Sequence, residues 1–303
     1  MCRNINGKFL SSPALDYKFE IVFRKEKIIM KISCLPVSLF GAVQSGEMSV
    51  KDWASEAKRI GFDGCDLSML MITGHTQTYL DSLCRDFESI GLPVVMATTY
   101  PDFTHPDAKQ RQREMDYLMR DIALCDQLGI GYLRILAGQK HDGVGLEEGI
   151  SLAAEHLCQI DMMARKYDVK LVFENHAKPG AWDNVDFSYP IDIFYAVFDK
   201  LKDSNIRLNF DIGNIVAQGK DPMEVLERVI DRVETVHISD MAEYGRFAPV
   251  EIGTGACPIR RVIERLNEYG FDGWYCIEEA SGHGIGGIAN AYSYVRKLSE
   301  ELA

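Results

Sequence analysis

Four residues in the second half of this 303-residue chain are of the types that hold a divalent cation. They are Glu174 in KLVFENH, Asp211 in IRLNFDIGN, His237 in VETVHISD and Glu278 in WYCIEEA. Three carboxylates and one imidazole form a mixed oxygen–nitrogen donor set suited to a hard or intermediate ion. Manganese is the first choice, with cobalt, magnesium and zinc as the others. No thiolate belongs to the set; Cys276 shares a strand side with Glu278 and is expected to pack beneath it. Each candidate ends a short apolar run that reads as a buried strand. Alone, such a carboxylate reads as a helix cap or solvated loop group, and such a histidine as a satisfied core residue. The intervals of 37, 26 and 41 residues are too wide for a local metal loop. Each is about one strand–helix–loop unit, so a barrel would bring the four strand ends to one mouth.

The neighbours of these residues extend the chemistry. His176 lies two residues beyond Glu174, and extended geometry directs both side chains the same way. It is placed either to touch a substrate or the metal's surroundings, or to close a loop by hydrogen bonding. Asn214, three residues after Asp211, has the same two readings. Asp240, three residues after His237, is a candidate to hydrogen-bond around the metal ligands.

The elements that must position these groups alternate from Lys31 onward. Strand-like runs fall at residues 31–35, 61–67, 93–98, 130–137, 170–175, 206–210, 234–238 and 274–278. Between them lie helical patterns at 50–60, 76–90, 108–128, 149–167, 191–200 and 258–269. Another opens at Asp221-Pro222, with Asp221 as cap, and a last one runs from about 287 to 302. Regular alternation predicts parallel strands with helical crossovers. Eight such units predict an α/β fold, a (β/α)8 TIM barrel; an open doubly wound sheet is the alternative. GFDG occurs twice, at 61–64 and 270–273, each time before a strand, and reads as turn chemistry on the face away from the site. Residues 1–29 lack this rhythm and read as a peripheral or disordered extension. Residues 30–303 read as a single catalytic barrel.

A formal net charge of −12 repels phosphate backbones, so nucleic acid is not an expected partner. The eight cysteines form no CxxC pair and mostly lie in apolar segments. They read as buried thiols of a reducing, cytoplasmic compartment. No apolar run approaches the ~18 residues of a membrane span. The expected partner is a small molecule, with a homo-oligomer or partner subunit left open.

The segments FENH, FDIGN, HISD, EIGTG from Glu251 and the terminal Glu278 together resemble the sugar phosphate isomerase/epimerase family, the xylose isomerase-like barrels that include ketose 3-epimerases. The resemblance runs from Met30 to about Leu298. It implies a (β/α)8 barrel with one divalent metal, often manganese, held by Glu174, Asp211, His237 and Glu278. It also implies that Glu174 and Glu278 are the catalytic proton-transfer pair, one removing a proton beside a carbonyl and the other returning it through an enediolate. The implied activity is that of a metal-dependent isomerase or epimerase acting on a sugar, ketose or inosose. The chain departs from the ketose 3-epimerase pattern at two places. Asn214 stands where those enzymes carry a substrate-binding His, and Glu243 stands near an expected Arg, with Arg246 slightly later. The family also includes inosose dehydratases and subunits that cleave 3-oxo-glycosides, and both remain alternatives; a non-catalytic, metal-stabilised binding protein is a remoter one. Related DNA-repair endonucleases need a denser histidine cluster, which Asn214 and the acidic charge oppose.

On this reading the substrate-binding candidates are His176, Asn214, His141, Trp182, Arg246 and His75. His141 follows strand four and His75 follows strand two, where each could equally be a surface loop residue. Trp182, Phe187 and Tyr189 in AKPGAWDNVDFSYP could stack on a sugar ring or pack a loop. Lys178 and Arg246 could bind a phosphate or carboxylate. The glycine-rich segment 282–287 is a candidate ligand-facing backbone.

Overall fold

A computed structural model of the protein describes residues 30–178 and 180–303. The extension expected at residues 1–29 lies outside them. Eight parallel strands form one sheet: β1 (Lys31–Leu35), β2 (Cys65–Ser68), β3 (Val94–Thr98), β4 (Tyr132–Ile135), β5 (Lys170–Glu174), β6 (Arg207–Asp211), β7 (Val233–Ile238) and β8 (Trp274–Glu278). Each pairs with its sequence neighbour from β2 through β8, and β8 pairs with β1 from Lys31↔Trp274 to Leu35↔Glu278. The remaining seam lies between β1 and β2. It is bridged by Asp63 N–H donating to Ile32 O (2.9 Å), Ile32 N–H donating to Asp63 Oδ2 (2.9 Å) and Ser33 Oγ donating to Asp66 Oδ2 (2.7 Å). The result is the nearly closed TIM barrel that the alternation predicts.

The crossovers are α1 (Phe40–Ser45), α2 (Val50–Ile60), α3 (Gln77–Ile90), α4 (Ala108–Leu128), α5 (Leu146–Ala164), α6 (Ile191–Lys200), α7 (Ile212–Ala217), α8 (Pro222–Val229), α9 (Ile259–Tyr269) and α10 (Gly284–Leu302). Local chemistry explains their ends. A Ser49/Asp52 capping box starts α2, whose buried stripe is Val50, Trp53, Ala54 and Ala57; Gly61, at φ 113°, ends it. Asp221 caps α8 with Pro222 in its first turn. α5 begins three residues before its expected start. Leu146 there is exposed and so adds nothing to an apolar stripe, while Glu147 and Glu148 suit the positive end of the helix dipole.

The two GFDG segments are turns. Gly61 and Gly270 are left-handed C-caps of α2 and α9. A Cβ on Gly64 would lie 2.3 Å from Val95, and one on Gly273 would lie 2.3 Å from Glu234 O. Both precede the strand entrances, opposite the strand ends that carry the candidate ligands. Alternate strand residues face the barrel interior. Val95, Met96, Val172 and Cys276 pack there as a small apolar cluster against Tyr132 and Trp274.

Candidate metal centre and its cavity

β5, β6, β7 and β8 bring Glu174, Asp211, His237 and Glu278 to one point, with one donor atom of each within 4.8 Å of the others. His237 Nδ1 lies 3.0 Å from Glu174 Oε1, 3.0 Å from Glu278 Oε2 and 3.8 Å from Asp211 Oδ2. Three of the four are buried, Glu278 partly so. Three carboxylates this close in a desolvated place repel each other strongly. Burial, Glu278 and Glu174 together push the Asp211 carboxyl well above the usual range. Burial opposes charge on Glu278 too, but His237 overrides it and holds that carboxyl at about 2. Burial likewise disfavours an imidazolium at His237, yet Glu174 and Glu278 raise its pKa well above the ordinary value. Apart from Arg134, which sits beside Glu174, the protein offers these three acids one proton-borne positive charge, on His237. Asp211 Oδ2 and Glu174 Oε2 are buried without a hydrogen-bond partner. Unpartnered carboxylate oxygens around an imidazole nitrogen fit a divalent cation by donor type and by charge.

Asp211 shows why ligand and helix cap need not be alternatives. Its Oδ1 accepts the Asn214 N–H at 2.6 Å, capping α7, and the Ser239 hydroxyl at 3.0 Å. Its Oδ2 stays free for the centre. A Cβ on Gly213 would sit 2.4 Å from Ser239 Oγ, so glycine makes room for that hydroxyl. Asn175 ties the β5 and β6 ends together: its amide donates to Asp211 O (2.8 Å) and its Oδ1 accepts Asp211 N–H (3.0 Å). Asp240 spends its carboxylate on the following loop, accepting the N–H groups of Met241, Gly253, Gly255 and Cys257. That accounts for HISD and EIGTG as one folded unit, with Gly255 packed too close to Asp240 for a Cβ.

The centre opens into a cavity of ≈ 700 Å³ whose lining includes Asp211 and Glu278. Residues 54–298 match the sequence profile of the xylose isomerase-like TIM barrel family. The chain belongs to the xylose isomerase-like TIM barrel family. Among its relatives, a provisionally named hydroxypyruvate isomerase of Streptomyces coelicolor is 26% identical over 250 residues, covering 78% of this chain and 87% of that one. An inosose dehydratase of Clostridium botulinum is 25% identical over 169 residues, about half of each chain. The zinc-binding IOLI protein superposes with a TM-score of 0.75 at 17% identity, over 90% of this chain and 99% of that one. A D-tagatose 3-epimerase-like protein superposes with a TM-score of 0.74 at 16% identity, over 90% and 98%. Likeness at that identity shows the shared fold.

Within this xylose isomerase-like barrel, His176, Asn214 and Lys178 line the cavity. Burial holds the His176 imidazole at about 4, hence neutral, and its Nδ1 has no partner. The other expected residues fall outside the lining. His141 Nε2 is 2.7 Å from Asp102 Oδ2, and its ring meets His105 edge-on. Trp182 is buried and donates its indole N–H to Tyr100 O at 3.2 Å, supporting a residue that does line the cavity. Arg246 is exposed and pairs with Glu243; its neighbour Phe247 lines the mouth. His75 is exposed. Segment 282–287 also lies outside the lining. It wraps the buried Glu279, whose Oε1 accepts from the Ser281 N–H and hydroxyl, and Gly287 passes too close to that oxygen for a Cβ.

Arg134 and Tyr100 line the cavity beside the centre, and the sequence pattern did not single them out. Arg134, on β4, is 2% exposed; its Nε lies 2.9 Å from Glu174 Oε2, off the line of a hydrogen bond, and its Nη1 donates to Thr99 O at 3.0 Å. Its guanidinium lies 4.9 Å from the ring centre of Tyr100. The signal was a lone arginine inside the apolar run YLRILA, at a position whose alternation points inward.

Proposed function

We propose that this chain is a divalent-metal-dependent isomerase or epimerase of a sugar-derived ketone, a ketose or an inosose, acting by proton abstraction beside the carbonyl. The observation that carries this reading is the placement of Glu174 and Glu278, each 3.0 Å from His237 Nδ1 and on strands either side of β6 and β7. Manganese suits the donor set best, and a bound cation supplies positive charge for the substrate oxygens. Glu174 and Glu278 serve as the two carboxylates that take and return a proton. His237 and Arg134 keep Glu174 below the ordinary carboxylate range against the cost of burial, so it is ionised and able to accept. Arg134 also fixes where Glu174 Oε2 points. Neutral His176 presents an unpartnered Nδ1 to a substrate hydroxyl, and Asn214, which also lines the cavity, offers its amide.

A second reading, dehydration, draws support from the curated relatives named inosose dehydratases. It starts with the same abstraction and ends with loss of the neighbouring hydroxyl as water. The test is deuterium uptake from heavy water by ketoses and inososes with Mn²⁺-loaded protein. Uptake beside the carbonyl without loss of water supports the isomerase reading, and loss of water supports the second. Full activity in a folded Glu174→Gln variant would remove Glu174 from the proton transfer and both readings with it.

A further inference from the structure

The cavity has two chemically opposed walls. Arg134 on β4, His176 just beyond β5 and Asn214 on α7 form a wall of buried polar side chains. The segments after β1, β2 and β7 supply Val37, Phe40, Leu70, Phe247, Pro249 and Val250 to the rest of the lining. The polar side chains of those outer segments that line the cavity, among the described residues, are Gln44, Ser239 and Asp240, and the last two are already spent: Ser239 donates to Asp211, and Asp240 accepts the N–H groups of the following loop. Leu70 and Phe247 are 45% and 51% exposed, although both face into a cavity that ends on the candidate centre.

A polyhydroxylated ligand gains little from such a wall. Each hydroxyl turned toward it gives up water and finds no donor or acceptor in return. One sugar ring seated on the centre also leaves much of ≈ 700 Å³ unfilled, a volume in the range of pockets that enclose drug-sized ligands. Resting on the sugar reading above, we infer that the natural substrate is amphiphilic: a keto-sugar or keto-polyol head at the carboxylate cluster, carrying a bulky apolar substituent, aromatic or branched aliphatic, against Phe40, Leu70 and Phe247. The head meets Arg134, His176 and Asn214, which offer hydrogen bonds. The substituent covers side chains that otherwise stay in water, and this contact selects among sugars that the polar wall treats alike.

The test is calorimetric binding of methyl and 4-nitrophenyl β-glucoside to Mn²⁺-loaded protein, wild type and Leu70→Ser/Phe247→Ser. The expected result is at least tenfold tighter binding of the nitrophenyl compound, with that ratio falling below threefold in the double variant. Equal affinities, no binding of the nitrophenyl compound, or a ratio untouched by the double substitution would overturn the inference. So would a dimer in sedimentation that the double variant dissolves, because the wall would then be covered by a second copy of the chain. The sugar reading fails separately: affinity for the methyl glycoside that does not change on removing Mn²⁺ counts against it, while the ratio between the two ligands still reads the apolar wall.

Discussion

The two halves of the barrel treat buried polar groups in opposite ways. In the first half they satisfy one another. Ser33 donates to Asp66, Asp66 accepts the Met96 N–H, and Ser68 and Thr98 share the Tyr100 hydroxyl at 3.1 Å each. In the second half, Glu174, Asp211 and His237 each leave a buried atom without a hydrogen-bond partner. An unpaired buried polar atom costs roughly 1–3 kcal/mol, more when charged. Several such atoms gather at the candidate metal cluster, where a cation would offset that cost. The exceptions in the first half are the Nε atoms of Arg111 and Arg134, and Arg134 leans across to Glu174.

The contrast can be broken most severely at the centre. Glu174→Gln should lower turnover by about 10³-fold or more, with an unchanged circular dichroism spectrum. Asp211→Asn should weaken divalent-metal binding by about 10–100-fold in a calorimetric titration. The α7 cap should survive, because the amide oxygen still accepts the Asn214 N–H; intact metal affinity would contradict the ligand role. Arg134→Gln should reduce kcat by about 10–100-fold while metal still binds, because it frees Glu174 Oε2 to reorient. Loss of metal binding as well would make Arg134 part of the centre's scaffold.

On the satisfied side the expected effects concern stability. Burial raises the Asp66 carboxyl from 3.8 to about 6. The folded state therefore binds this proton more tightly than the unfolded state does. Stability from this group is fully present below pH ~4 and is lost as pH rises through about 6, a change of roughly 3 kcal/mol. Asp66→Asn should flatten that difference between pH 4 and 7 in urea titrations, and an unchanged pH dependence would show that Asp66 is not its source. Ser49→Ala should cost about 1 kcal/mol by removing the α2 cap and leave metal affinity unaltered.

The sequence made the barrel and the metal cluster legible for the same reason. Buried parallel strands are short apolar runs, and an acid or imidazole at the end of four in succession stands out. What it hid was long-range partnering. Asp240 three residues after His237 reads as a group beside the metal, yet its oxygens are taken by backbone donors up to seventeen residues away. His141, Trp182 and Arg246 sit on loops whose paths periodicity does not encode; Asp102 and Glu243 hold the first and last outside the lining, and Trp182 is held behind the cavity wall by the Tyr100 carbonyl. The short α7 escaped notice because its residues are all buried, so it shows no amphipathic stripe. Arg134 was visible as a charge in a strand, but only the β4–β5 register, with Arg134 opposite Val172, puts it beside Glu174.

The most direct measurement is a calorimetric titration of metal-stripped protein with Mn²⁺, wild type beside His237→Ala and Asp211→Asn. One equivalent per chain is expected for the wild type, with affinity lost or strongly reduced in both variants. Equal binding in all three, or none in the wild type, would contradict a divalent centre built from the last four strand ends.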